Sequence, residues 1–479
     1  MAALTKPRTK TPDKGQRILV VGLGTSGYWT ARYMAQKGAE VTVSDSRPLS
    51  ELDARQISEL KSAGVILETG EHGEETFSSA DLVVVSPGVP LDMFPLTEAY
   101  KKRIPVVGEL ELASRFIHEP IIAVTGSNGK STVTAFLGDM LKKAGLKVFV
   151  GGNIGTPLMA YAARMEKADY LVAEVSSFQL DTIETFRPYI SIILNISPDH
   201  LDRYRDYSAY VASKLRIFEN QSAGDYLILN DEDPVLSEIS FSPQLHVLRY
   251  GREGNIRRNA HIQRKTISCG LKRGTEARFS LDRFSLPGVH NQENLMAAIL
   301  TGQVLGIQTH ILQDAIDTFQ GLPNRIEYVD TLHDISFYND SKATNVDAAA
   351  RAIGSFDGGL ILIAGGRHKG ADYAPLIEAG RGRLKGAVFL GEATPLLARA
   401  FEGVLPFSSA EDMKTAVQKA FDMASKGDTI LLAPACSSFD MFSDYAQRGQ
   451  AFKTAVRSLM ETCDEQQVNT VHESGVVNG

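Results

Sequence analysis

The stretch IIAVTGSNGKST, residues 121–132, predicts an apolar strand, a glycine-rich turn and the first turn of a helix. This order forms a phosphate cradle, in which glycine backbone approaches phosphate oxygens, a lysine reaches the β and γ phosphates, and a hydroxyl takes the place of a magnesium ligand. The residues expected to contact ATP here are Gly126, Ser127, Asn128, Gly129, Lys130, Ser131 and Thr132. Val124 replaces the first glycine of the strict G-x-x-x-x-G-K-[ST] form, so a strand, turn and helix without a nucleotide remains an alternative.

The composition allows several buried cores and excludes some functions. The chain has 479 residues, of which 43% are hydrophobic and 22% charged, which suits about three domains. Its net charge of −7 argues against a general nucleic-acid binder. We expect a cytoplasmic protein, because the polar N-terminal segment lacks the apolar core of a signal peptide and no apolar run reaches the ~18 residues of a membrane span. Three widely spaced cysteines predict neither disulfides nor a zinc knuckle.

Apolar strand-length runs alternate with helical patterns in three blocks, which predicts an α/β protein of three domains. We expect a Rossmann-like N-terminal domain, a central P-loop ATPase-type α/β domain and a C-terminal Rossmann-like domain. The predicted bounds are 1–16 for a disordered arm, 17–119, 120–322 and 323–463 for the domains, and 464–479 for a disordered tail. The predicted strands are 17–21, 40–44, 81–86, 104–107, 121–124, 170–175, 190–196, 225–230, 336–339, 360–364, 387–390 and 429–433, with short antiparallel strands within 243–286.

A G-x-G-x-x-G turn at residues 22–27, with Asp45 at the end of the next strand, meets the formal dinucleotide fingerprint. No hydride-transfer residues accompany it, so NAD(P) is one alternative, and a turn that only packs a helix on a strand is another. The same geometry suits a UDP-type pyrophosphate. The residues expected around that ligand are Thr25 and Ser26 in the turn, Asp45, Ser46 and Arg47 at the strand end, and Ser86 and Gly88 on the neighbouring loop.

In the second block, two predicted strands are followed by side chains that can take part in catalysis or bind a metal. Glu174 follows one strand and can hold Mg²⁺, and His200 follows another. A lone histidine is more often structural, but beside Glu174 and Lys130 it is expected in the same crevice. Lys214 lies on a helix predicted over 207–219, where most lysines are solvated or paired.

Asparagines and polar loops complete the candidate set. Asn291 and Asn294 lie one turn apart at the start of a predicted helix, where they touch a nucleotide or merely cap the helix. In the third block, loops at 340–345, 365–370 and 434–440 follow predicted strands and suit a small anionic substrate, although an exposed cap without a ligand is the alternative for the last.

Taken together, these segments resemble the Mur ligase family from about residue 17 to 460. The motifs that carry the resemblance are TGSNGKST at Thr125, GGNIG at Gly151, EVSSFQL at Glu174, DHLDR at Asp199, KLRIFEN at Lys214, NDSKATN at Asn339, GGRHKGADY at Gly365 and PACSSFD at Pro434. The resemblance implies an ATP-driven amide ligase of peptidoglycan precursor synthesis. NDSKATN and SSFD favour the branch that joins D-glutamate to UDP-N-acetylmuramoyl-L-alanine through an acyl phosphate.

The resemblance also implies a role for each matching residue. Catalysis would rest on Lys130, Glu174, His200 and Lys214, with one Mg²⁺ on Ser131 and Glu174 and a second on His200 and a Lys214 carbamate formed from CO₂. The UDP substrate would contact Thr25, Ser26, Asp45, Ser46, Arg47, Ser86, Gly88, Asn153 and Ser176. ATP would also contact Asn291, Asn294 and, after closure of the third domain, Arg325, Asp340 and Lys342. D-Glutamate would contact Thr344, Lys369, Ser438, Phe439 and Tyr445.

Two positions depart from the family or lack a role in it. A phenylalanine is more familiar at Tyr445, and His368 has no assigned function. Two alternative functions remain. One is a folylpolyglutamate synthase, although that enzyme lacks a separate UDP domain, and the other is a non-catalytic nucleotide-binding regulator. We expect a monomer.

Overall fold

The computed structural model describes the backbone of residues 11–164, 166–197, 203–255, 257–272, 275–368, 370 and 372–474, with side chains as far as Cys463. The predicted α/β class is confirmed, because parallel sheets alternate with helices along the chain. The described chain forms two compact units. The first contains the described residues up to Asp282 and Glu293–Ile316, and the second contains Arg283–Gln292 and the described residues from Asp317 onward.

The first sheet lies in the first unit, and all of its described strands are parallel. Its elements are β1 (Arg17–Val21), α1 (Thr25–Gln36), β2 (Glu40–Asp45), α2 (Ala54–Ser62), β3 (Ile66–Thr69), α3 (Glu74–Ser79), β4 (Leu82–Val85), α4 (Phe94–Lys101), β5 (Val106–Gly108) and α5 (Glu109–Ser114). The strand order β3-β2-β1-β4-β5 is doubly wound, so helices cover both faces and β1 is buried on both sides. The Rossmann-like prediction is confirmed, and the carboxyl ends of these strands share one edge.

Two glycines bring α1 close to β1. A Cβ on Gly27 would lie 1.9 Å from the carbonyl oxygen of Gly22, so a larger residue cannot fit there. Gly22 itself has φ 87°, in the left-handed region that favours glycine. The turn therefore presents the first backbone N–H groups of α1 at the edge of the sheet.

The second sheet also belongs to the first unit. Its elements, with the two helices that follow, are β6 (Ile121–Thr125), α6 (Lys130–Lys143), β7 (Val148–Gly152), α7 (Leu158–Ala162), β8 (Tyr170–Glu174), α8 (Ser177–Leu180), β9 (Ile190–Ile193), α9 (Tyr207–Leu215), β10 (Tyr226–Asn230), α10 (Pro234–Ser237), β11 (His246–Gly251), β12 (Ala260–Gln263), β13 (Thr266–Cys269), β14 (Ala277–Ser280), α11 (Val289–Val304) and α12 (Thr309–Thr318). The strand order is β14-β13-β12-β11-β10-β9-β6-β8-β7.

Two local predictions in this sheet need correction. The antiparallel prediction for 243–286 holds for β13, which pairs antiparallel with β12 and β14. Strand β11 instead pairs parallel with both β10 and β12, and α10 lies in the crossover from β10 to β11. The helix predicted over 207–219 ends at Leu215 and continues as a 3₁₀ turn, Arg216–Phe218.

The third sheet lies in the second unit. Its elements are β15 (Glu327–Leu332), β16 (Ile335–Asn339), α13 (Val346–Gly354), β17 (Leu360–Gly365), α14 (Ala374–Gly380), β18 (Leu384–Leu390), α15 (Thr394–Phe401), β19 (Phe407–Ala410), α16 (Met413–Met423), β20 (Thr429–Leu432) and α17 (Tyr445–Ser474). The order is β15-β16-β20-β17-β18-β19, parallel within the described strands except for the β15–β16 hairpin. Helices on both faces confirm the second Rossmann-like domain.

Helix α17 differs from the disordered tail predicted for residues 464–479, because it continues to Ser474. No glycine or proline interrupts the chain between Gly449 and Gly475, so no residue there stops helix propagation. Neither this helix nor any other within the described ranges is long and apolar enough to cross a membrane.

Candidate active site

The glycine-rich loop between β6 and α6 is held in a fixed shape by its own unit. Gly129 has φ 85° and precedes the first residue of α6, so a glycine is required at this helix start. The ammonium of Lys130 donates to the carbonyl oxygens of Gly126 and Ser127 at 2.8 and 3.0 Å. Asn195 holds the loop at Asn128, since the Asn195 Oδ1 accepts from the N–H of Asn128 at 2.8 Å and the Asn195 Nδ2 donates to the Asn128 carbonyl at 3.1 Å.

The carboxylate of Glu174 joins this loop to a second part of the unit. Glu174 ends β8 beside β6 and is only 2% exposed. Its Oε2 accepts from Ser131 Oγ at 2.7 Å, and its Oε1 accepts from Asn153 Nδ2 at 3.0 Å. A hydroxyl and a carboxylate therefore meet at the start of α6.

Lys214 on α9 also contacts the glycine-rich loop. Its side chain is 2% exposed and its Nζ donates to the Gly126 carbonyl at 2.9 Å. The Tyr210 ring centre lies 4.8 Å from that ammonium, and the Tyr210 hydroxyl is 3.0 Å from Ser127 Oγ. His200, the predicted partner of Lys214, lies outside the described residues. Within the described part of the chain, no three His, Cys, Asp or Glu side chains cluster as metal ligands.

The two asparagines of α11 differ in their surroundings. A Cβ built on Gly129 would lie 2.4 Å from Asn294 Oδ1, so the Asn294 amide lies directly against the phosphate loop. Asn291 Nδ2 donates to the carbonyl of Pro287 at 2.6 Å, which is a contact at the start of the helix. Both side chains are 7% exposed.

A cavity of about 760 Å³ opens at the carboxyl edge of the first sheet and reaches the loop after β7. It is lined by every residue predicted for the UDP substrate except Ser176, namely Thr25, Ser26, Asp45, Ser46, Arg47, Ser86, Gly88 and Asn153. Ser176 instead forms a capping box with Gln179 at the start of α8. Asn153 lines the cavity and contacts Glu174. The Glu174 carboxylate therefore contacts both a residue of the cavity wall and Ser131 at the phosphate loop.

Asp45 organises the wall of this cavity. Its Oδ2 accepts from the Leu23 N–H at 2.6 Å, and its two oxygens accept from Arg47 Nη2 and Nε at 2.8 and 2.9 Å. The Arg47 hydrogen bond lowers the pKa of the Asp45 carboxyl to about 2, so the carboxylate is charged at neutral pH. Arg47 also donates to the Leu23 carbonyl at 3.0 Å. The pair therefore holds the glycine turn in place.

The three polar loops predicted in the third block meet at one buried arginine. Arg448 on α17 is 1% exposed. It donates to Ser341 Oγ at 3.0 Å, to the Cys436 carbonyl at 3.1 Å and to the Gly365 carbonyl at 3.3 Å. Each acceptor belongs to a different loop, so Arg448 fixes their relative positions. Burial lowers the pKa of the guanidinium to about 10, which leaves it protonated at neutral pH.

Other predicted residues of the second unit lie around these loops. The ammonium of Lys342 lies 3.8 Å from the ring centre of Tyr445, and burial raises the pKa of Asp340 to about 7 against the opposing charge of Arg325. Thr344 donates its N–H to the Lys342 carbonyl at 2.8 Å. Ser438 is buried, the side chain of Phe439 is 64% exposed, and Lys369 lies outside the described residues.

Three family profiles match successive parts of the chain: the MurD-like N-terminal domain of Mur ligases over residues 16–108, the Mur ligase middle domain over 124–302 and the Mur ligase glutamate ligase domain over 324–436. A protein of Desulfosudis oleivorans named UDP-N-acetylmuramoylalanine--D-glutamate ligase is 44% identical over 448 residues, which are 94% of this chain and 97% of the relative. The chain belongs to the Mur ligase family.

Further comparisons agree with this membership. A protein of Koribacter versatilis with the same name is 43% identical over 94% of this chain and 98% of its own length. The crystal structure of MurF ligase from Thermotoga maritima in complex with ADP has the same fold, with a TM-score of 0.56 at 15% identity over 96% of this chain and all of that one.

The donor set of this Mur ligase fits nucleotide and magnesium. Ser131 and Glu174 supply hard oxygen ligands of the kind that Mg²⁺ prefers. The phosphate loop offers backbone N–H groups at the start of a 14-residue helix, where the helix dipole favours anions. The residues present therefore suit an ATP–Mg²⁺ complex.

Sequence reasoning missed three residues that the fold brings to these sites. They are Asn195 behind the phosphate loop, Arg448 between the three loops and His72 in the cavity wall. The signal for Asn195 was a polar residue that follows the apolar strand β9, and the signal for Arg448 was an arginine within a partly apolar helix. His72 carried no signal beyond its position after β3.

Proposed function

We propose that this chain joins D-glutamate to UDP-N-acetylmuramoyl-L-alanine, with cleavage of ATP to ADP and phosphate, in peptidoglycan precursor synthesis. The observation that carries the proposal is the position of Glu174, whose two oxygens contact Ser131 in the phosphate loop and Asn153 in the wall of the 760 Å³ cavity. A phosphate-binding loop and a nucleotide-sized cavity therefore lie side by side in one unit. Relatives more than 40% identical over nearly their full length carry the name of this ligase.

In the first half-reaction, a carboxylate oxygen of the bound L-alanine forms a bond to the γ-phosphorus of ATP. The bond from that phosphorus to the β–γ bridging oxygen breaks, which gives an acyl phosphate and ADP. Lys130, which donates to the loop carbonyls, would turn to the phosphate oxygens and neutralise their charge. Asn294, against Gly129, would fix the other side of the phosphates.

In the second half-reaction, the amine of D-glutamate forms a bond to the acyl carbon. The carbon–oxygen bond then breaks, phosphate leaves and the nitrogen loses a proton, so an amide remains. The loops tied by Arg448 would hold D-glutamate through Thr344, Lys369, Ser438, Phe439 and Tyr445. The ATP-site roles of Asn291, Arg325, Asp340 and Lys342 belong to the same proposal.

Mg²⁺, when bound, supplies positive charge that stabilises the transferring phosphoryl group. Ser131 and Glu174 would hold one ion. His200 and a carbamate on Lys214 would hold a second, since CO₂ added to a neutral amine gives an anionic oxygen ligand. The substrates are soluble nucleotides and an amino acid, so we place the reaction in the cytoplasm. We also expect a monomer.

The test is release of ADP and phosphate by the purified protein with ATP, Mg²⁺ and UDP-N-acetylmuramoyl-L-alanine, with D-glutamate compared against L-glutamate, L-alanine and diaminopimelate. Turnover with D-glutamate alone supports the proposal. Turnover with another amino acid would overturn the substrate, and no turnover with any of them would overturn the activity. Lys130→Ala should abolish turnover, whereas Lys142→Ala, at an exposed position of the same helix, should not.

A further inference from the structure

His72 belongs to the wall of the 760 Å³ cavity, yet no role in the proposed reaction requires it. It lies in the loop between β3 and α3 and is partly buried. The loop is tied to the end of β2, because the Gly70 N–H donates to the carbonyl oxygens of Asp45 and Arg47, each at 3.0 Å. His72 is therefore held next to the segment that forms the polar floor of the cavity.

The imidazole ring has a fixed orientation. Its Nδ1 is 2.7 Å from the Oγ of Ser44, whose side chain is fully buried on β2. One edge of the ring packs against the buried Phe77 ring, with the centroids 5.8 Å apart at 82°. When the Ser44 hydroxyl donates to Nδ1, the ring carries its proton on Nε2, on the side away from the sheet.

Nδ1 makes the hydrogen bond that His72 forms within the described residues, so Nε2, which carries the proton in this tautomer, is left for a ligand. The charged groups of the wall differ from His72 in this respect, because Asp45 and Arg47 form hydrogen bonds with each other and with the Leu23 backbone. An oriented donor at a cavity wall is a group that a bound ligand can use.

The strand order indicates which part of a nucleotide would reach His72. The diphosphate belongs at the glycine turn after β1, where the N–H groups of α1 point outward. Asn153, which lines the cavity and contacts Glu174, places the reacting end of the substrate toward the phosphate loop. The nucleoside must then extend from β1 toward β2 and β3, and the loop after β3 contains His72.

On the basis of the proposed function, we infer that Nε2–H of His72 donates a hydrogen bond to a carbonyl oxygen of the uracil base of the UDP substrate. Uracil offers two such oxygens, whereas the cytosine edge replaces one of them with an amine donor. Only a donor to the oxygen that cytosine lacks distinguishes the two bases, so we place the His72 contact at that oxygen. There His72 would contribute to the choice of a uridine nucleotide, with Ser44 as the residue that sets the tautomer of His72.

The experiment measures binding of UDP, CDP and inorganic pyrophosphate to the full chain by calorimetry. The variant His72→Leu removes the donor, and His72→Gln keeps an amide donor at similar reach. His310→Ala, on an exposed part of α12, is the control. For His72→Leu we expect a Kd for UDP about tenfold higher, as for the loss of one hydrogen bond, and an unchanged Kd for pyrophosphate. His72→Gln should stay within about threefold of wild type, by the same arithmetic.

Turnover gives an independent readout. His72→Leu should raise the KM for UDP-N-acetylmuramoyl-L-alanine by about tenfold and leave kcat unchanged, because the contact is the same in the ground and transition states. Equal weakening of UDP and pyrophosphate would overturn the base contact and assign His72 to the phosphates. Unchanged UDP binding would overturn any contact. If the wild-type protein bound neither UDP nor CDP, the proposed function itself would fail, which separates the two conclusions.

Discussion

The ammonium of Lys342 lies 3.8 Å from the centre of the Tyr445 ring, which joins a residue predicted for ATP to one predicted for D-glutamate. This is a cation–π contact, and it requires the ring but not its hydroxyl. Tyr445→Phe should therefore change the KM for D-glutamate by less than about twofold, whereas Tyr445→Leu should raise it about tenfold, which corresponds to a contact of 1–2 kcal/mol. Steady-state kinetics with varied D-glutamate would decide this. An equal defect in both variants would show that the hydroxyl matters.

Arg448→Met should destabilise the second unit. The change leaves the Cys436 and Gly365 carbonyls without this donor in a buried site, at a cost of about 1–3 kcal/mol for each unsatisfied group. Urea unfolding of the variant should show a lower midpoint, and the KM for D-glutamate should rise because the loops lose their common anchor. Arg457→Ala, on an exposed part of the same helix, is the matched control. Stability equal to that of the control would refute the anchoring role.

Glu174→Gln should weaken the binding of Mg²⁺ more than it lowers the stability of the fold. The amide keeps an oxygen for Asn153 or Ser131 but removes the negative charge that a divalent cation requires. We expect the Mg²⁺ concentration for half-maximal rate to rise at least tenfold, in line with loss of one metal ligand. Ser131→Thr, which keeps the hydroxyl, should remain close to wild type. A normal Mg²⁺ titration in Glu174→Gln would remove Glu174 from the metal site.

Lys214 should carry a carbamate under turnover conditions. Nuclear magnetic resonance of protein equilibrated with ¹³C-bicarbonate should show a carbamate signal that is absent in Lys214→Arg, because a guanidinium stays protonated and does not add CO₂. The Arg variant should also lose turnover while the fold is retained. Full activity in rigorously CO₂-free buffer would contradict the carbamate.

Glu109 should make stability fall as pH rises. Its carboxyl is 2% exposed, its Oε2 has no hydrogen-bond partner, and its Oε1 accepts from the Met159 N–H at the start of α7. Burial raises the pKa of this acid from its ordinary 4.5 to about 7. Between these two values the folded state holds a proton on Glu109 that the unfolded chain releases. The contribution of the protonated acid to the free energy of unfolding is therefore complete below pH 4.5 and is lost as the pH rises through about 7.

Comparison of Glu109→Gln with wild type isolates this effect. The amide of Glu109→Gln does not ionise. The free energy of unfolding of this variant, relative to that of wild type, should therefore increase by up to about 3 kcal/mol between pH 5 and pH 8, as follows from a pKa raised by roughly 2.5. Urea unfolding at several pH values would measure it, with Glu75→Gln on exposed α3 as the control. Parallel curves for the variant and wild type would exclude an ionising Glu109.

The predicted strands that the structure confirms are mainly those buried in the sheets. Strands β3, β7, β15 and β19 were missed, and each lies at the edge of its sheet. An edge strand has a neighbour on one side only, and partial exposure interrupts its apolar run. The sequence FSSA of β19, with alternating exposed and partly buried residues, shows why the pattern was too weak to predict a strand.

By itself, the sequence determined the phosphate loop, because its signals are local. The predicted strand at 121–124 lies within β6, and the predicted helix start at Lys130 coincides with that of α6. The positive φ angles of Gly126 and Gly129 favour glycine at both positions. The family membership and the order of the three sheets followed from such motifs.

Only the tertiary structure decided which polar side chains support the sites. Ser44 and His72 are 28 residues apart, Asn128 and Asn195 are 67 apart, and Ser341 and Arg448 are 107 apart. No local period or motif encodes such pairs, because each partner alone has the pattern of an ordinary polar residue. They meet only when parallel strands bring their carboxyl ends to one edge, so packing of the sheets decides these contacts.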